Sequence, residues 1–597
     1  MYYNYPDNKK EYSVRNIVEK SMLGNAWAVS GDYNLDKDSN DTEILIKHIL
    51  TSRGIIGDVA VERFLHPSIK EYMPDPSVLK DMDKATRIIA DSVCANEKIA
   101  IYGDYDVDGI TSTAVFVKYL REIGIDVSWH LPTREGEGYG LNISAIEQIA
   151  QSGVKLMITV DCGISGIKEV ERAKELGLKV VVTDHHSPDS VLPDADAVVN
   201  PKRVDDDSGL SFLAGVGVAF LTLVSLNREL KKRGFFENRK SQINLLNYMD
   251  MVALGTICDT MPLVDLNRAF VSTGLKVLGL RQNLGLRTLM DLAGIKNPSV
   301  YAVGFALGPR LNAAGRLDSA SPALELLLTD NPLIANDLAN KLHHMNQERI
   351  DIQNAIMIDA IDIANKCCEH GNCSLFVCGD NWHGGVMGII AGRLKDKYNL
   401  PTCVATRIDG VINGSGRSIP EVDLGKIIHE ALALGILSEG GGHSAAAGFS
   451  LNVDKEQDFC KFLEKSVIEQ LSGERPKAEI IVDAEIDASG ANMRLVERLT
   501  DLAPFGQSNP EPTLVLHGCV LKFASVMGNG SHLRGVVRTS NGSQLSFVGF
   551  NLVGTPVGNF LLDDANTNTK IMMLGKLKEN EYNGRVSAQF TLEDMAL

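Results

Sequence analysis

From Lys98 onward the chain alternates short apolar runs with amphipathic stretches. KIAIYGDYD, KLMITVD and KVVVTDHH predict strands, and TSTAVFVKYLREIG and SGIKEVERAKELG predict the helices between them. Strand and helix alternating at this spacing predict a parallel, doubly wound sheet, because a parallel connection needs a crossover helix. Further on, Ile334, Leu338, Leu342, Met345, Ile352, Ile356 and Ile363 recur at steps of about three and four, which predicts one long connecting helix. A second α/β block opens at SLFVCGD. Past GERPKAE the pattern changes to β-like runs separated by glycine turns (PTLVLHGCVLKF, HLRGVVRT, SQLSFVGF, KIMMLGKL, RVSAQFTL). Five such strands in a short span predict a small closed barrel, for which the OB-fold is the natural form. The expected class is therefore multidomain α/β. Residues 1–80 form a helical and irregular region, 81–325 the first α/β domain, 326–368 the long helix, 369–473 the second α/β domain and 474–597 the barrel.

A chain of 597 residues is too long for a single core, in keeping with that division. Its 59 Lys and Arg against 76 Asp and Glu leave a formal charge of −17, which excludes a general nucleic-acid coat, since phosphate affinity comes from cations. The barrel from Glu511 onward carries equal numbers of both signs, so the surplus lies before it. The opening MYYNYPDNKKEYSVRN has no apolar stretch, and no secretory signal is expected. Gly209 to Leu226 carries no charge and reaches the lower limit of a membrane span, but its Gly, Ser and Thr content suits a buried helix better. Ten cysteines without paired spacing suit a reducing compartment, and the one cluster, Cys367, Cys368, Cys373 and Cys378 with His370, lacks a C-x-x-C pair.

The chemistry concentrates in Asp104-Tyr105-Asp106-Val107-Asp108-Gly109. Alternate carboxylates on an extended segment project to one side and repel unless a cation lies among them. An EF-hand begins similarly but needs a helix before it and a Glu where Val115 stands. Asp161 follows the predicted strand LMITV, and Asp184-His185-His186 follows KVVVT. These clusters therefore share the carboxyl edge of one sheet, where open α/β folds bind ligands. Asp259, after VALGTIC, is a further contributor. Carboxylate oxygen with one or two imidazoles suits Mn²⁺ or Mg²⁺. So much carboxylate suits two ions sharing a bridging Asp, an arrangement that hydrolyses phosphoesters. Patterns for a P-loop, a complete dinucleotide fingerprint, a G-x-S-x-G elbow and an H-E-x-x-H zinc site are all missing.

DYDVDG, VDCGIS, VVTDHH and ALGTICDTMPL, in this order, resemble the metal-site motifs of the DHH phosphoesterase superfamily. WHGGVMGIIAGRL and GGHSAAAGF resemble its DHHA1 domain. GPRLNAAGRL, GSGRS and PFGQSNPEP resemble the bacterial single-strand-specific exonuclease branch, the RecJ family. The resemblance implies that Asp104, Asp106, Asp108, Asp161, His185 and Asp259 form the metal centre, with Asp161 as the bridge. Asp108, Asp161, His185 and His186 would be catalytic. His186 would either orient its neighbour or assist the leaving group, and Asp184 would brace the turn. It also implies substrate contacts from Arg310, Asn312, Arg316, His383, Arg417, Ser418 and the backbone cradle at Gly441, Gly442 and His443. A helix-end salt bridge is the rival reading of the first three, and ordinary turn chemistry that of the last three. In the barrel, Phe547, Phe550 and Tyr582 are stacking candidates, with core packing expected for at least one phenylalanine. Ser508 stands where the family has glycine in its PFGxGN turn, which is expected to alter that turn.

The implied activity is metal-dependent 5′→3′ hydrolysis of single-stranded DNA to mononucleotides, in recombination and repair. The agent would be a monomeric bacterial cytoplasmic enzyme without membrane contact, supplied by a helicase and a single-strand-binding protein. Two alternatives remain: a nano-RNase or nucleotide phosphodiesterase of the same superfamily, and a non-catalytic replication scaffold of the same fold.

Overall fold

The structure is a computed structural model describing residues 14–30, 41–134, 136–237, 243–473, 475 and 479–597. The opening segment through Ser13 and most of the GERPKAE linker lie outside the described residues.

The first α/β domain is built on a five-stranded, wholly parallel sheet. Its spatial order is Val127–His130, Ile99–Tyr102, Leu156–Val160, Lys179–Thr183 and Ala197–Val199. Ile99–Tyr102 and Leu156–Val160 are buried along their whole length, as expected for strands covered by helices on both faces. The chain leaves Ile99–Tyr102 toward one edge and returns to start Leu156–Val160 on its other side. The switch in strand order thus lies between these two strands, and a crevice opens at their carboxyl ends. The uncharged run after Gly209 continues into helix Gly215–Lys232, whose first half is buried against the sheet. Among the described residues no helix is long and apolar enough to cross a membrane.

The long helix runs from Pro332 to Glu369, 38 residues and about 57 Å at 1.5 Å per residue. Asn331 caps it by accepting from the Leu333 amide. Ala335, Ala339, Ala360 and Ala364 are completely buried along it together with Leu342, Ile356 is nearly so, and Ile334 faces solvent. Small side chains let neighbouring backbones approach, which a count of large apolar residues does not register. The second α/β domain follows as a mixed sheet in which Leu375–Asp380 and Thr402–Ile408 are parallel and the other pairings antiparallel. Cys373, Cys378 and Cys403 are buried in its core.

Near the carboxyl end, Leu514–Met527, His532–Arg538, Gln544–Gly549, Arg585–Ala596 and Lys570–Tyr582 pair in turn. Lys570–Tyr582 pairs back onto Leu514–Met527, closing a five-stranded barrel of OB type. Phe547 is completely buried within it, while Phe550 and Tyr582 are exposed. The amino-terminal region holds helices at Thr42–Ser52 and Asp58–Leu65, as its pattern suggests, but also two strands. Val14–Val18 and Ala26–Ser30 are strands, and Ala26–Ser30 pairs in parallel with Glu479–Val482. Leu45, Ile49 and Phe64 join the barrel's own apolar cluster. These strands are short and their partner lies hundreds of residues away, so no local pattern announces the pairing.

The PFGQSN turn ties the amino-terminal region and the first α/β domain to the carboxy-terminal region. Asn509 accepts from Arg53 and donates to the carbonyls of Leu502 and Pro504, and the Leu263 amide donates to Gln507. Arg268, fully buried, donates to the carbonyls of Phe64, Leu502, Ala503 and Pro504 and lies 3.7 Å from the Phe64 ring centroid. Ser508 holds φ at 62°, so serine keeps the left-handed conformation that glycine would take. Left-handed backbone costs a residue with a Cβ about 1–2 kcal/mol, partly offset by the greater entropy glycine loses on folding. Ser508→Gly is therefore expected to stabilise the protein by about 0.5–1 kcal/mol, seen as a higher urea midpoint with unchanged slope. A lower midpoint would show that the hydroxyl matters more than the backbone.

Candidate metal centre

Asp104, Asp106 and Asp108 follow strand Ile99–Tyr102 and lead into helix Val107–Glu122. Asp106 is the N-cap, its Oδ1 accepting from the amides of Asp108 at 2.9 Å and Gly109 at 3.1 Å. The cap turns Asp104 and Asp108 inward, where both are buried. Asp108 accepts from the amides of Gly215 at 2.7 Å and Val216 at 2.9 Å, the open N-terminus of helix Gly215–Lys232. Asp161 lies just past Leu156–Val160, buried, with φ at 59°. A Cβ at Gly215 would collide with the Asp161 carboxylate, so that helix can close over the aspartate only with glycine at its start.

His185 Nδ1 lies 3.0 Å from the Leu213 carbonyl, which makes Nδ1 the protonated nitrogen and points the lone pair of Nε2 inward. Nε2 is 3.1 Å from Asp161 Oδ1, 3.5 Å from Asp259 Oδ2 and 3.7 Å from Asp108 Oδ2. Asp104 Oδ1, Asp161 Oδ1 and His185 Nε2 are all buried without a hydrogen-bond partner. Lone pairs crowded in this way, with no donor between them, fit a cation. Hard oxygens with one imidazole fit the Mn²⁺ and Mg²⁺ class. Asp104, Asp106 and Asp161 make one group of converging ligand atoms and Asp108, His185 and Asp259 a second, adjacent one; a third joins Asp161 to the two histidines. Among the described residues, none of the groups close enough to hold a metal includes a cysteine.

The electrostatics agree. With protons as the only available cations, burial foremost and the neighbouring Asp106 charge next push Asp104 up to about 8 and Asp108 to about 7. Burial and then the Asp108 and Asp106 charges push Asp259 up to about 8, and burial raises Asp161 well above the carboxylate range. Burial, reinforced by His186, holds His185 down to about 3, so its imidazole stays neutral and ready to ligate. Asp184 is saturated. It accepts from the amides of Ile164, His185 and His186 and from His186 Nδ1 at 2.8 Å. Burial opposes ionisation of Asp184, but the hydrogen bond and charge of His186 outweigh it and lower its pKa. Burial likewise opposes protonation of His186, but its bond to Asp184 raises it to about 9.

The other residues singled out in the sequence separate into two sets. Arg316 reaches the second α/β domain, donating to the Gly385 carbonyl at 2.9 Å, and His383 accepts from the Gly385 amide. Burial and the nearby Arg134, Arg349 and Arg417 cations lower Arg316 to about 10, which describes a place wanting an anion. Arg417 is held by Ser415 Oγ and the Gly416 carbonyl, and Gly441, Gly442 and His443 lie on the edge strand of that domain's sheet. Asn312 and Ser418 are turned inward. Asn312 accepts from the Val107 amide and so steadies the metal loop, while Ser418 is buried and donates to the Val422 carbonyl. Arg310 donates to the Ala306 carbonyl and to His343.

Sequence reasoning missed Arg134, whose guanidinium lies 4.5 Å from the Tyr105 ring centroid, and Tyr139, whose ring meets His186 edge-on at 5.6 Å. It also missed Lys202, half-buried and influenced by Asp259, Asp184 and Asp161. Arg134 and Tyr139 follow strand Val127–His130 at the same carboxyl edge as the carboxylates, a position that would have flagged them.

Three family descriptions match the chain: DHH family, N-terminal domain, over residues 98–256; DHHA1 domain over 371–469; and RecJ OB domain over 482–594. The chain is 34% identical over 563 residues to the single-stranded-DNA-specific exonuclease RecJ of Escherichia coli (strain K12), covering 92% of this chain and 95% of that one. The crystal structure of RecJ in complex with Mn²⁺ from Thermus thermophilus superposes with a TM-score of 0.74 at 27% identity, over 93% of this chain and 78% of that one. The Mg²⁺ complex from the same source superposes with 0.68 at 26% identity, over 94% and 77%.

Proposed function

Since the chain belongs to the RecJ family of single-stranded-DNA-specific exonucleases, we propose that it is a Mn²⁺- or Mg²⁺-dependent exonuclease that removes mononucleotides from single-stranded DNA in the 5′→3′ direction, serving recombination and repair. The observation that carries this reading is the convergence of Asp104, Asp106, Asp108, Asp161, His185 and Asp259, with unpartnered buried lone pairs, at the switch point of a parallel sheet. Divalent cations held there supply a water of lowered pKa and neutralise charge on the scissile phosphate. Asp161, grouped with Asp104 and Asp106 and 3.1 Å from His185 Nε2, would supply a carboxylate to both ligand groups. His185 offers Nε2 because Leu213 occupies Nδ1. His186, braced at Nδ1 by Asp184, carries a proton at neutral pH and offers it to the departing oxygen. Arg134, Arg316 and Arg417 bind the phosphates beside the centre, Arg forks matching phosphate oxygens.

Strand selectivity follows from size. The substrate passes between the catalytic domain and the second α/β domain, which Arg316 links across a short gap. A passage that admits one strand excludes a duplex, so a helicase must supply unwound DNA and a single-strand-binding protein must keep it open. The enzyme works as a monomer in the bacterial cytoplasm, where its ten free cysteines stay reduced.

End-labelled DNA tests the reading. With Mn²⁺, a 3′-labelled single strand is expected to shorten progressively while a 5′-labelled one releases its label at once, and blunt duplex is expected to react at least about tenfold more slowly, a margin of about 1.4 kcal/mol. Equal rates on both, or release from the 3′ end, would sink it. Metal-free protein is expected to bind single strands more poorly as pH rises past about 8, where the bare carboxylates ionise and repel phosphate. Tight binding in EDTA above that pH would contradict this.

A further inference from the structure

Beside the metal centre lies a cavity of about 640 Å³, bounded by Cys258 next to Asp259, by helix Gly308–Leu317, by the long helix and by Met387–Tyr398. Arg310, Arg316, Arg349 and Arg393 line it and no carboxylate does. Among the described residues none of the four makes an ion pair with Asp or Glu. Arg349 donates to Asn346 through Nη2, but its Nε is buried with no partner. Burial, and the Arg393 charge beside it, make Arg349 easier to deprotonate than a solvated arginine. Guanidiniums collected in this way without counter-charge suit an anion with several phosphates.

The rim has a different chemistry. Phe305 lines the cavity at 72% exposure and stacks on Tyr301, itself 74% exposed, with ring centroids 4.9 Å apart and planes 26° from parallel. Phe305 lies within the π-helical stretch Val303–Leu307, a distortion frequent at functional sites, and Tyr301 in the turn just before it. On its far side Tyr301 lines a second cavity of about 610 Å³ with Pro504, Phe505 and Lys578, at the junction with the barrel. The stacked pair therefore stands between an arginine-lined passage and the carboxy-terminal domain. Exposed rings next to unpaired guanidiniums are the combination that holds bases and phosphates of a single strand. A protein partner would account for the rings but not for the arginines.

We propose that Tyr301 and Phe305 form a stacking platform for bases on the 3′ side of the scissile bond, whose phosphates cross the Arg310, Arg349 and Arg393 cavity on the way to the barrel. This rests on the exonuclease reading above and adds a substrate-positioning site that sets strand length and grip.

The test uses the full chain with Mn²⁺. For the wild type, KM on oligothymidylates is expected to fall as strands lengthen enough to reach the pair. In Tyr301→Ser/Phe305→Ser that fall is expected to stop early, raising KM on long strands about tenfold to a hundredfold, at one to two stacked bases lost, with little change in kcat. Both rings are exposed, so the double variant is expected to unfold at the wild-type temperature. Arg349→Gln/Arg393→Gln is expected to reduce the slope of log binding against log salt by about 1.4, at about 0.7 per phosphate on a single strand. A 2-aminopurine walked along a phosphorothioate strand, which resists hydrolysis, is expected to be quenched over a narrow window, and the quench to vanish in the double serine variant. An unchanged length dependence of KM, an unchanged salt slope or a quench insensitive to the two rings would each overturn the proposal. Because the quench needs no turnover, failure of the platform with cleavage intact and failure of cleavage with the quench intact are separate results.

Discussion

Asp161→Asn is expected to lower Mn²⁺-dependent cleavage of single-stranded DNA by about 10³-fold or more, corresponding to about 4 kcal/mol of lost stabilisation at the reacting phosphate. Asp161 is the carboxylate that faces both ligand groups. It belongs with Asp104 and Asp106 on one side, and its Oδ1 lies 3.1 Å from His185 Nε2 on the other. Removing its charge affects both groups at once. Asparagine is the informative replacement because Asp161 holds φ at 59°, where Asn is tolerated and Ala is strained. The folded state is therefore expected to survive, with metal-free stability equal to or above the wild type, since a carboxyl whose ionisation burial opposes is replaced by a neutral amide. Asp184→Asn makes the contrasting case. Asp184 accepts four hydrogen bonds and braces the turn, so its loss is expected to lower stability as well as activity. Asp161→Asn protein retaining more than about a tenth of wild-type kcat/KM, less than about 1.4 kcal/mol lost, would remove Asp161 from the bridging role.

The second large effect is a metal dependence of stability that grows with pH. In the unfolded chain the carboxyls ionise near pH 4, as ordinary Asp side chains do. In the folded, metal-free centre Asp104, Asp108 and Asp259 ionise at about 8, 7 and 8, raised first by burial and then by one another. Between these limits the folded state binds more protons than the unfolded state. The stability these three groups contribute is thus fully present below about pH 4, falls as pH rises, and is lost above about pH 8. His185, held down to about 3, runs the other way below about pH 6.5, where only the unfolded imidazole binds a proton; it offsets one of the three carboxyls and leaves the sign unchanged. Metal works the other way. Mn²⁺ displaces those protons, so its affinity tightens as pH rises through the same range. Saturation at about a hundred times Kd adds about 2.7 kcal/mol to the folded state. Thermal unfolding in EDTA and in Mn²⁺ at pH 5.5, 7 and 8.5 checks this. The gap between the two is expected to widen steadily, by about 1.36 kcal/mol for each tenfold gain in metal affinity. A gap independent of pH would mean that the carboxylates are already ionised without metal.

The acidity of the chain bears on its substrate through the same residues. The net charge of −17 excludes a protein that coats DNA, yet five of its 76 acids are the proposed ligand carboxylates, whose field bound cations would reverse. Arg316 is depressed to about 10 by burial and by other arginines around it, so positive charge is concentrated close to Asp106 of the metal loop.

Residues that act through their neighbours in sequence were legible. The three strands ending in Asp-rich or Asp-His segments, the helix following Asp108, the long helix and the closed barrel each rest on a periodicity of two or of about 3.6, and backbone geometry dictates both. Because a parallel sheet collects the carboxyl ends of its strands on one edge, the order of residues alone was enough to bring Asp104, Asp161 and His185 together, and the ligand types set the class of metal. Contacts between remote segments came only from the packing of the whole chain. Strand Ala26–Ser30 pairing with Glu479–Val482, Arg268 buried among carbonyls of Phe64 and residues 502–504, and Ser418 turned away from the cleft all depend on which surfaces dock. So do Arg349 and Arg393, which read as ordinary exposed helix residues until two domains bring them to one cavity. Periodicity reports which face of an element is buried, but not against what; only the packed chain supplies the partner, and with it the unpaired lone pairs and guanidiniums from which the chemistry is read.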